Sequence, residues 1–324
     1  MTTAVETSTT GLIAPVIQAY LENPEKRFDA GVLAEVQASM TRTLTRQLME
    51  GRPDRKGIEH GTLYTGSCAR KSQNTYRGAE GEPFSARALL KFTLGDLVEL
   101  SVLAIARLAG LDIGLNNEHL TVRGKEGVEI PVHPDGLLHM DGTYYNVEVK
   151  SCDTFTFDQW IVEGGPSDLW GYRSQASVEI QAWREHGFNV PETLFVAIST
   201  GTRQGSIQEW RIPYEPELVE GWHARRALAL GPDLPPIPYA LEPEVQYKAG
   251  KECDERWKAQ ATPRVNVKGS IYGWDYRTGR YLLPLPCSYC SYKQTVCYPN
   301  AVMELQGDKP VWIMPDEGKE ERHE

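Results

Sequence analysis

Six cysteines among 324 residues are too few for a disulfide scaffold, and no apolar run is long enough to cross a membrane. The stretch that comes nearest, residues 84–110, is interrupted by Arg87, Lys91, Asp96, Glu99 and Arg107. The opening MTTAVETSTTGLIAP has no basic leader, carries Glu6 and breaks its short apolar run at Pro15, which reads against a secretory signal. These absences set the expectation of a cytoplasmic protein with no membrane partner. Excess positive charge is missing too: 34 Lys and Arg face 44 Asp and Glu, a net charge of −10. That balance excludes a protein that coats nucleic acid electrostatically, though not one that binds it locally. Between Arg42 and Arg77 the sign reverses, with eight basic residues against three acidic ones. Such a run is either a solvated helix face or a set of phosphate contacts. No internal repeat is present, and no Gly/Pro/Ser tract is long enough to keep a large part of the chain unfolded.

With 40% hydrophobic residues the chain builds a sizeable core. Residues 11–50 have helical periodicity broken at Pro24, and 82–110 forms a strong helix, expected to be buried on most of its circumference and to stop at Gly110. From Val128 to Ser151 the period changes to two, giving a hairpin that turns at Asp141-Gly142. A helix over 167–186 and a strand pair around 201–205 follow, then a Pro-rich stretch with a short helix, a last helix over 244–260 and a second hairpin. Helices and strands in this order predict an α/β core with helices on the faces of one mixed sheet. The expected segments are an N-terminal helical part (1–60), the core (61–215), a helical and loop insertion with a hairpin (216–280), a cysteine-rich segment (281–310) and an acidic tail (311–324).

Two constellations carry chemistry. In NVEVK, side chains alternate, so Glu148 and Lys150 share one strand face while Val147 and Val149 point into the core. Asp135, just after the bend at Pro134, is folded back beside Glu148 by the hairpin. Two converging carboxylates hold a hard divalent cation, Mg²⁺ or Mn²⁺, and the neighbouring lysine orients an attacking water and offsets charge on a phosphate. The plain alternative is an exposed E-x-K strand face next to an ordinary Asp-Gly turn.

The second constellation is Cys68 with Cys287, Cys290 and Cys297. C-x2-C-x6-C is metal-ligand spacing, because a tight turn presents the first two sulfurs to one centre, and Cys68 can supply a fourth ligand; two disulfides are the plain alternative. Ligand type alone leaves zinc as a competitor. Cys152 and Cys253 read as buried thiols, and His133 as a strand residue or a site residue.

An Asp/Glu-x-Lys core enclosed by one upstream cysteine and a C-terminal cysteine trio resembles the RecB-like branch of the PD-(D/E)xK nucleases that carries a 4Fe-4S cluster. That branch includes the AddB nuclease domain, the CRISPR-associated Cas-four nucleases and phage-encoded relatives. The match covers most of residues 61–300. Arg70 follows Cys68 and Pro299 follows Cys297, as basic and proline residues do in that family. The resemblance implies a restriction-endonuclease-like mixed sheet flanked by helices, with a cluster on Cys68, Cys287, Cys290 and Cys297 clasping the N- and C-terminal segments. It implies Mg²⁺ or Mn²⁺ on Asp135 and Glu148 with Glu99, after Gly95, as a further ligand. Lys150 would assist the water, and Gln175 would position DNA or water. Where the family often has a tyrosine this chain has Glu179, with Tyr172 one turn before Gln175. The tyrosines 281, 289, 292 and 298 would shield the cluster. The implied activity is a metal-dependent DNA exonuclease acting on free ends and preferring single strands, with recombination or CRISPR-adaptation proteins as partners. The alternative is a non-catalytic nucleic-acid-binding or assembly protein with a zinc or iron–sulfur module.

Overall fold

The computed structural model describes residues 11–25, 29–45, 56–115, 120–201, 206–253, 258–259, 261–306 and 309–314. Three expectations lie outside the described residues: the frayed first ten residues, the acidic stretch beyond 314, and Arg46, Arg52 and Arg55 of the basic run. No helix among the described residues is long and apolar enough to cross a membrane. The chain divides into two compact units, Met1–Ala79 with Phe84–Pro236, and Glu80–Pro83 with Ile237–Glu324.

In the first unit, helices α1 (Ala14–Glu22) and α2 (Ala30–Thr45) stand either side of Pro24. The start of α1 is capped from a distant strand: both carboxylate oxygens of Glu209 accept the N–H groups of Leu12, Ile13 and Ala14 at 2.7 to 3.0 Å. These are donors that the helix itself cannot satisfy. After α3 (Ala69–Arg77), helix α4 (Ala86–Leu108) begins where Ser85 Oγ accepts the Ala88 N–H, and it gives way to Gly110 at φ 96°. The expected burial on most of its circumference is not found along its whole length. Val102, Leu103, Ala104 and Ala106 are buried, whereas Leu89, Leu90 and Leu94 in the first half are exposed. Only the second half of α4 packs in the core formed with the sheet.

That sheet has five strands in the order β1 (Asp112–Leu115), β4 (Gly136–Met140), β5 (Thr143–Cys152), β6 (Glu192–Ser199) and β7 (Ile207–Pro213). Asp141 and Gly142, both at positive φ (50° and 76°), make the β4–β5 turn. The β5–β6 pair is parallel and the other neighbours are antiparallel, so the sheet is mixed. A parallel pair needs a long crossover, and here it is made by α5 (Thr154–Glu163) and α6 (Tyr172–Glu185). Helices cover both faces. Val147, Val149, Leu194 and Val196 pack with α1 and α4, while Phe195, Ala197 and Trp210 pack with Phe157, Trp160 and Ala176. Helix α7 (Pro216–Leu230) and a separate hairpin, β2 (Leu120–Arg123) with β3 (Glu129–Val132), bury a third cluster around Tyr64, Val178, Trp183 and Trp222.

The second unit is a sheet ordered β11 (Val302–Gln306), β12 (Lys309–Met314), β10 (Ile271–Leu282) and β8 (Glu242–Ala249), with β9 (Ala261–Val265) also on β10. The helix expected over 244–260 is instead the strand β8. In EPEVQYKA the residues Glu244 and Gln246 share one face and Val245 and Tyr247 the other, and β10 supplies the ladder from 24 or more residues downstream. Glu244, 1% exposed, accepts from Thr278 Oγ1 and from Arg280, whose guanidinium also reaches Glu304. Of the cysteine trio, Cys287 lies on the short helix α8 (Leu285–Ser288), Cys297 ends a single π-turn, Lys293–Cys297, and Cys290 lies between the two.

Candidate active site

Strand β4 stops pairing with β5 at Gly136↔Val147. Beyond that point β5 lacks a strand partner on this side, and the chain bends through Pro134. The side chain of Asp135 fills the gap: its Oδ2 accepts the Val149 N–H at 2.7 Å. Asp135 is thereby fixed beside Glu148 and Lys150, which flank Val149.

Glu148 does not lie on an open strand face as the alternation alone suggested. It is 1% exposed, because α5 and α6 cover that face as well. Lys150 pairs with Glu148 Oε1, and Gln175 Nε2 on α6 donates to the same oxygen at 2.9 Å. The other oxygen, Glu148 Oε2, is buried and meets no hydrogen-bond partner. An orphaned buried carboxylate oxygen is costly unless something else binds it. Burial and the charges of Glu148 and Glu99 push the Asp135 carboxyl well above the usual carboxylate range. Glu99 therefore acts electrostatically on the same site. It lies one turn beyond Gly95, where an added Cβ would stand 3.5 Å from Ser151 Oγ at the end of β5. Burial works to lower the Lys150 ammonium, but Glu148 and Asp135 outweigh it and hold the lysine raised.

The structure thus brings Asp135, Glu148, Lys150 and Gln175 together and sets Glu99 near them. Two further residues join them that the sequence did not single out as site residues. Glu179, one turn along α6 from Gln175, is 2% exposed and accepts Gln175 Nε2 at 2.9 Å; burial and Glu148 push its carboxyl up to about 8. Asn146, fully buried, donates to Glu179 Oε2. The spacings i, i+4 on a helix and i, i+2 on a strand were the signals for both. Tyr172 also feels this site, its hydroxyl raised by burial while Lys150 opposes.

Beside these groups opens a cleft of about 340 Å³ lined by His60, Thr62, Thr65, His133, Gln175 and Glu179 among others. Helix α7 braces its wall: Trp222 donates to the Gly61 carbonyl, Arg225 to that of Tyr64, and Arg226 grips Glu59 with two nitrogens. Of the basic run, Arg70 and Arg77 spend guanidinium donors on the carbonyls of Pro235, Gly231 and Pro232, which makes them loop clamps.

A hard cation fits the donor set of Asp135 and Glu148: two carboxylates, one carrying an unpaired oxygen, with a single lysine as counter-charge. Among the described residues no three His, Cys, Asp or Glu side chains converge closely enough to hold a metal ion. No disulfide joins any of the six cysteines. Cys290 N–H donates to the Cys287 carbonyl, the tight turn expected of C-x2-C, and Cys297 ends the π-turn. Tyr292 and Tyr298 are buried near them, while Tyr289 is exposed. Cys68 precedes α3 in the first unit.

No protein-family model matches the chain, and no curated protein matches it. One similar solved structure, "Crystal structure of SSO0001", has a TM-score of 0.38 and 12% identity over 60% of this chain and 86% of that one.

Proposed function

We propose that this chain is a metal-dependent DNA exonuclease with a restriction-endonuclease-like core. The observation that carries the reading is the group of Asp135, Lys150 and the buried Glu148, with Glu148 Oε2 left unpartnered. Asp135 and Glu148 would hold Mg²⁺ or Mn²⁺, with Glu99 adding negative charge to the site. When bound, the cation supplies charge neutralisation at the scissile phosphate and a more acidic water. Lys150, held protonated, orients the attacking water and offsets the charge that grows on the phosphate oxygens. Gln175 lines the adjoining cleft, which has room for the flanking part of the substrate. Single-stranded DNA with free ends is the proposed substrate, and recombination or CRISPR-adaptation proteins are the proposed partners.

The cysteine trio supports an iron–sulfur cluster in the second unit, because three cysteines in one short segment, none in a disulfide, suit soft-ligand metals. The sequence pattern names Cys68 as the fourth thiolate. Digestion of end-labelled single-stranded DNA with and without Mg²⁺ tests the enzymatic reading. Cleavage that chelator stops supports it; binding of DNA without any cleavage would leave a nucleic-acid-binding protein instead.

A further inference from the structure

One side chain in the site has an orientation set through Glu179 by Trp183, Asn146 and Thr193, which do not line the cleft. The indole Nε1–H of Trp183 can only donate, and it donates to Asn146 Oδ1 at 3.0 Å. The amide nitrogen of Asn146 must then face the other way, and it donates to Glu179 Oε2 at 2.9 Å and to Thr193 Oγ1 at 3.0 Å. Glu179 Oε1 in turn takes an N–H from Gln175, whose same nitrogen also donates to Glu148 Oε1, both at 2.9 Å. Both hydrogens of the Gln175 amide are therefore committed to carboxylates. Its carbonyl oxygen is the remaining polar atom; no described residue donates to it, and Gln175 lines the cleft. Asn146, Glu179, Trp183 and Thr193 are all buried, so water does not compete for these bonds.

We infer that Glu179 is a positioning residue that fixes the polarity of Gln175, so that the cleft presents an acceptor to its ligand. This inference rests on the nuclease reading for its catalytic consequence. The ligand group it selects is an O–H donor, either water or a sugar hydroxyl. A phosphate oxygen, which only accepts, is excluded from Gln175. Both oxygens of Glu179 face amide N–H groups, the arrangement that a carboxylate satisfies.

The test exploits the alternation of donors and acceptors. Glu179→Gln keeps the shape but places an amide between two amides, so one junction must face donor to donor or Gln175 must flip. Asn146→Asp breaks the pattern from the other side. Combining the two substitutions restores it with unchanged net charge. The carboxylate introduced on β5 accepts from Trp183 and from the amide introduced on α6, and the carbonyl of that amide accepts from Gln175. Each single variant is expected to lower kcat on end-labelled DNA at least tenfold, with KM within about threefold, and the double variant to recover to within threefold of wild type. Loss of the defect on DNA ending in a 3′-deoxy sugar identifies a sugar hydroxyl as the donor; an undiminished defect identifies water. Independently of cleavage, the side-chain NH2 resonances of Gln175 should shift in Glu179→Gln and return in the double variant. Unmoved resonances together with wild-type kcat in Glu179→Gln overturn the inference, as does a properly folded double variant no better than either single one. If the wild-type protein cleaves nothing, the nuclease reading fails while the resonances still decide the orientation of Gln175.

Discussion

The backbone N–H of Val149 donates to Asp135 Oδ2 across 2.7 Å, so a carboxylate stands where the next residue of a paired strand would otherwise be. Asp135 therefore has two jobs: it completes the hydrogen bonding of β5, and it adds negative charge next to Glu148. These jobs separate under substitution.

Asp135→Asn keeps an acceptor for Val149 and removes the charge, whereas Asp135→Ala removes both. Because the folded-state carboxyl is raised, ionising it weakens the fold: its contribution is intact at low pH and declines as pH rises from the unfolded value toward the folded one. The Asn variant should be at least as stable as wild type near neutral pH, with an advantage that grows as pH rises above the usual carboxylate range. The Ala variant should lose about 1–2 kcal/mol relative to Asn. Both should be inactive on DNA. Urea unfolding at several pH values and an end-labelled digestion check this; an active Asn variant would remove Asp135 from the proposed chemistry.

Lys150 is the positive charge next to the two site carboxylates, Glu148 and Asp135. Replacing it with Met keeps the length of the side chain and removes the charge. The expected result is a kcat lower by at least about tenfold with Mn²⁺ affinity unchanged or tighter, since a cation that competes for Glu148 has gone. Weaker Mn²⁺ binding by calorimetry would show that the lysine instead shapes the carboxylate pair.

Protein purified without oxygen should be brown, with about four iron and four sulfide per chain. Cys287→Ala, Cys290→Ala, Cys297→Ala and Cys68→Ala should each lose that iron. One zinc per chain in colourless protein would replace the cluster with a zinc site, and full iron in Cys68→Ala would remove Cys68 from the ligand set.

Glu209 satisfies three backbone donors at the start of α1 from a strand almost two hundred residues away. Glu209→Ala should cost roughly 2–3 kcal/mol, because several buried N–H groups lose their acceptor. Amide exchange at Leu12, Ile13 and Ala14 should quicken in step. Unchanged protection there would show that the apolar contacts of Ile13 and Ile17 alone hold the segment.

The central hairpin was legible because two local signals agreed, a period-two pattern and an Asp-Gly turn whose residues both adopt positive φ. Asp135, Glu148 and Lys150 came with it, since strand pairing alone fixes their proximity. Helix α5 went unread: TFTFDQWIVE is rich in β-branched and aromatic residues. Its helix signals lie just outside, in Asp153, which caps Thr156 N, and Gly164 at φ 77°. Residues 244–249 were misread for a different reason. Their partner strand is distant in sequence, and tertiary pairing overrode the local preference. The bond between Asn146 and Glu179 joins a strand to a helix, so only packing reveals it.

Four residues, Glu80–Pro83, belong to the second unit although the chain on both sides of them belongs to the first. Glu82 N–H donates to the Ser291 carbonyl, and its carboxylate receives Lys293 Nζ, 211 positions later. During synthesis on the ribosome this short segment emerges roughly 10–40 s before its partners at ordinary elongation rates. The first unit must therefore assemble around a stitch that is not yet tied. A fragment ending at Pro236 would carry that loose stitch permanently, and excising the second unit cleanly requires two cuts in the gene rather than one.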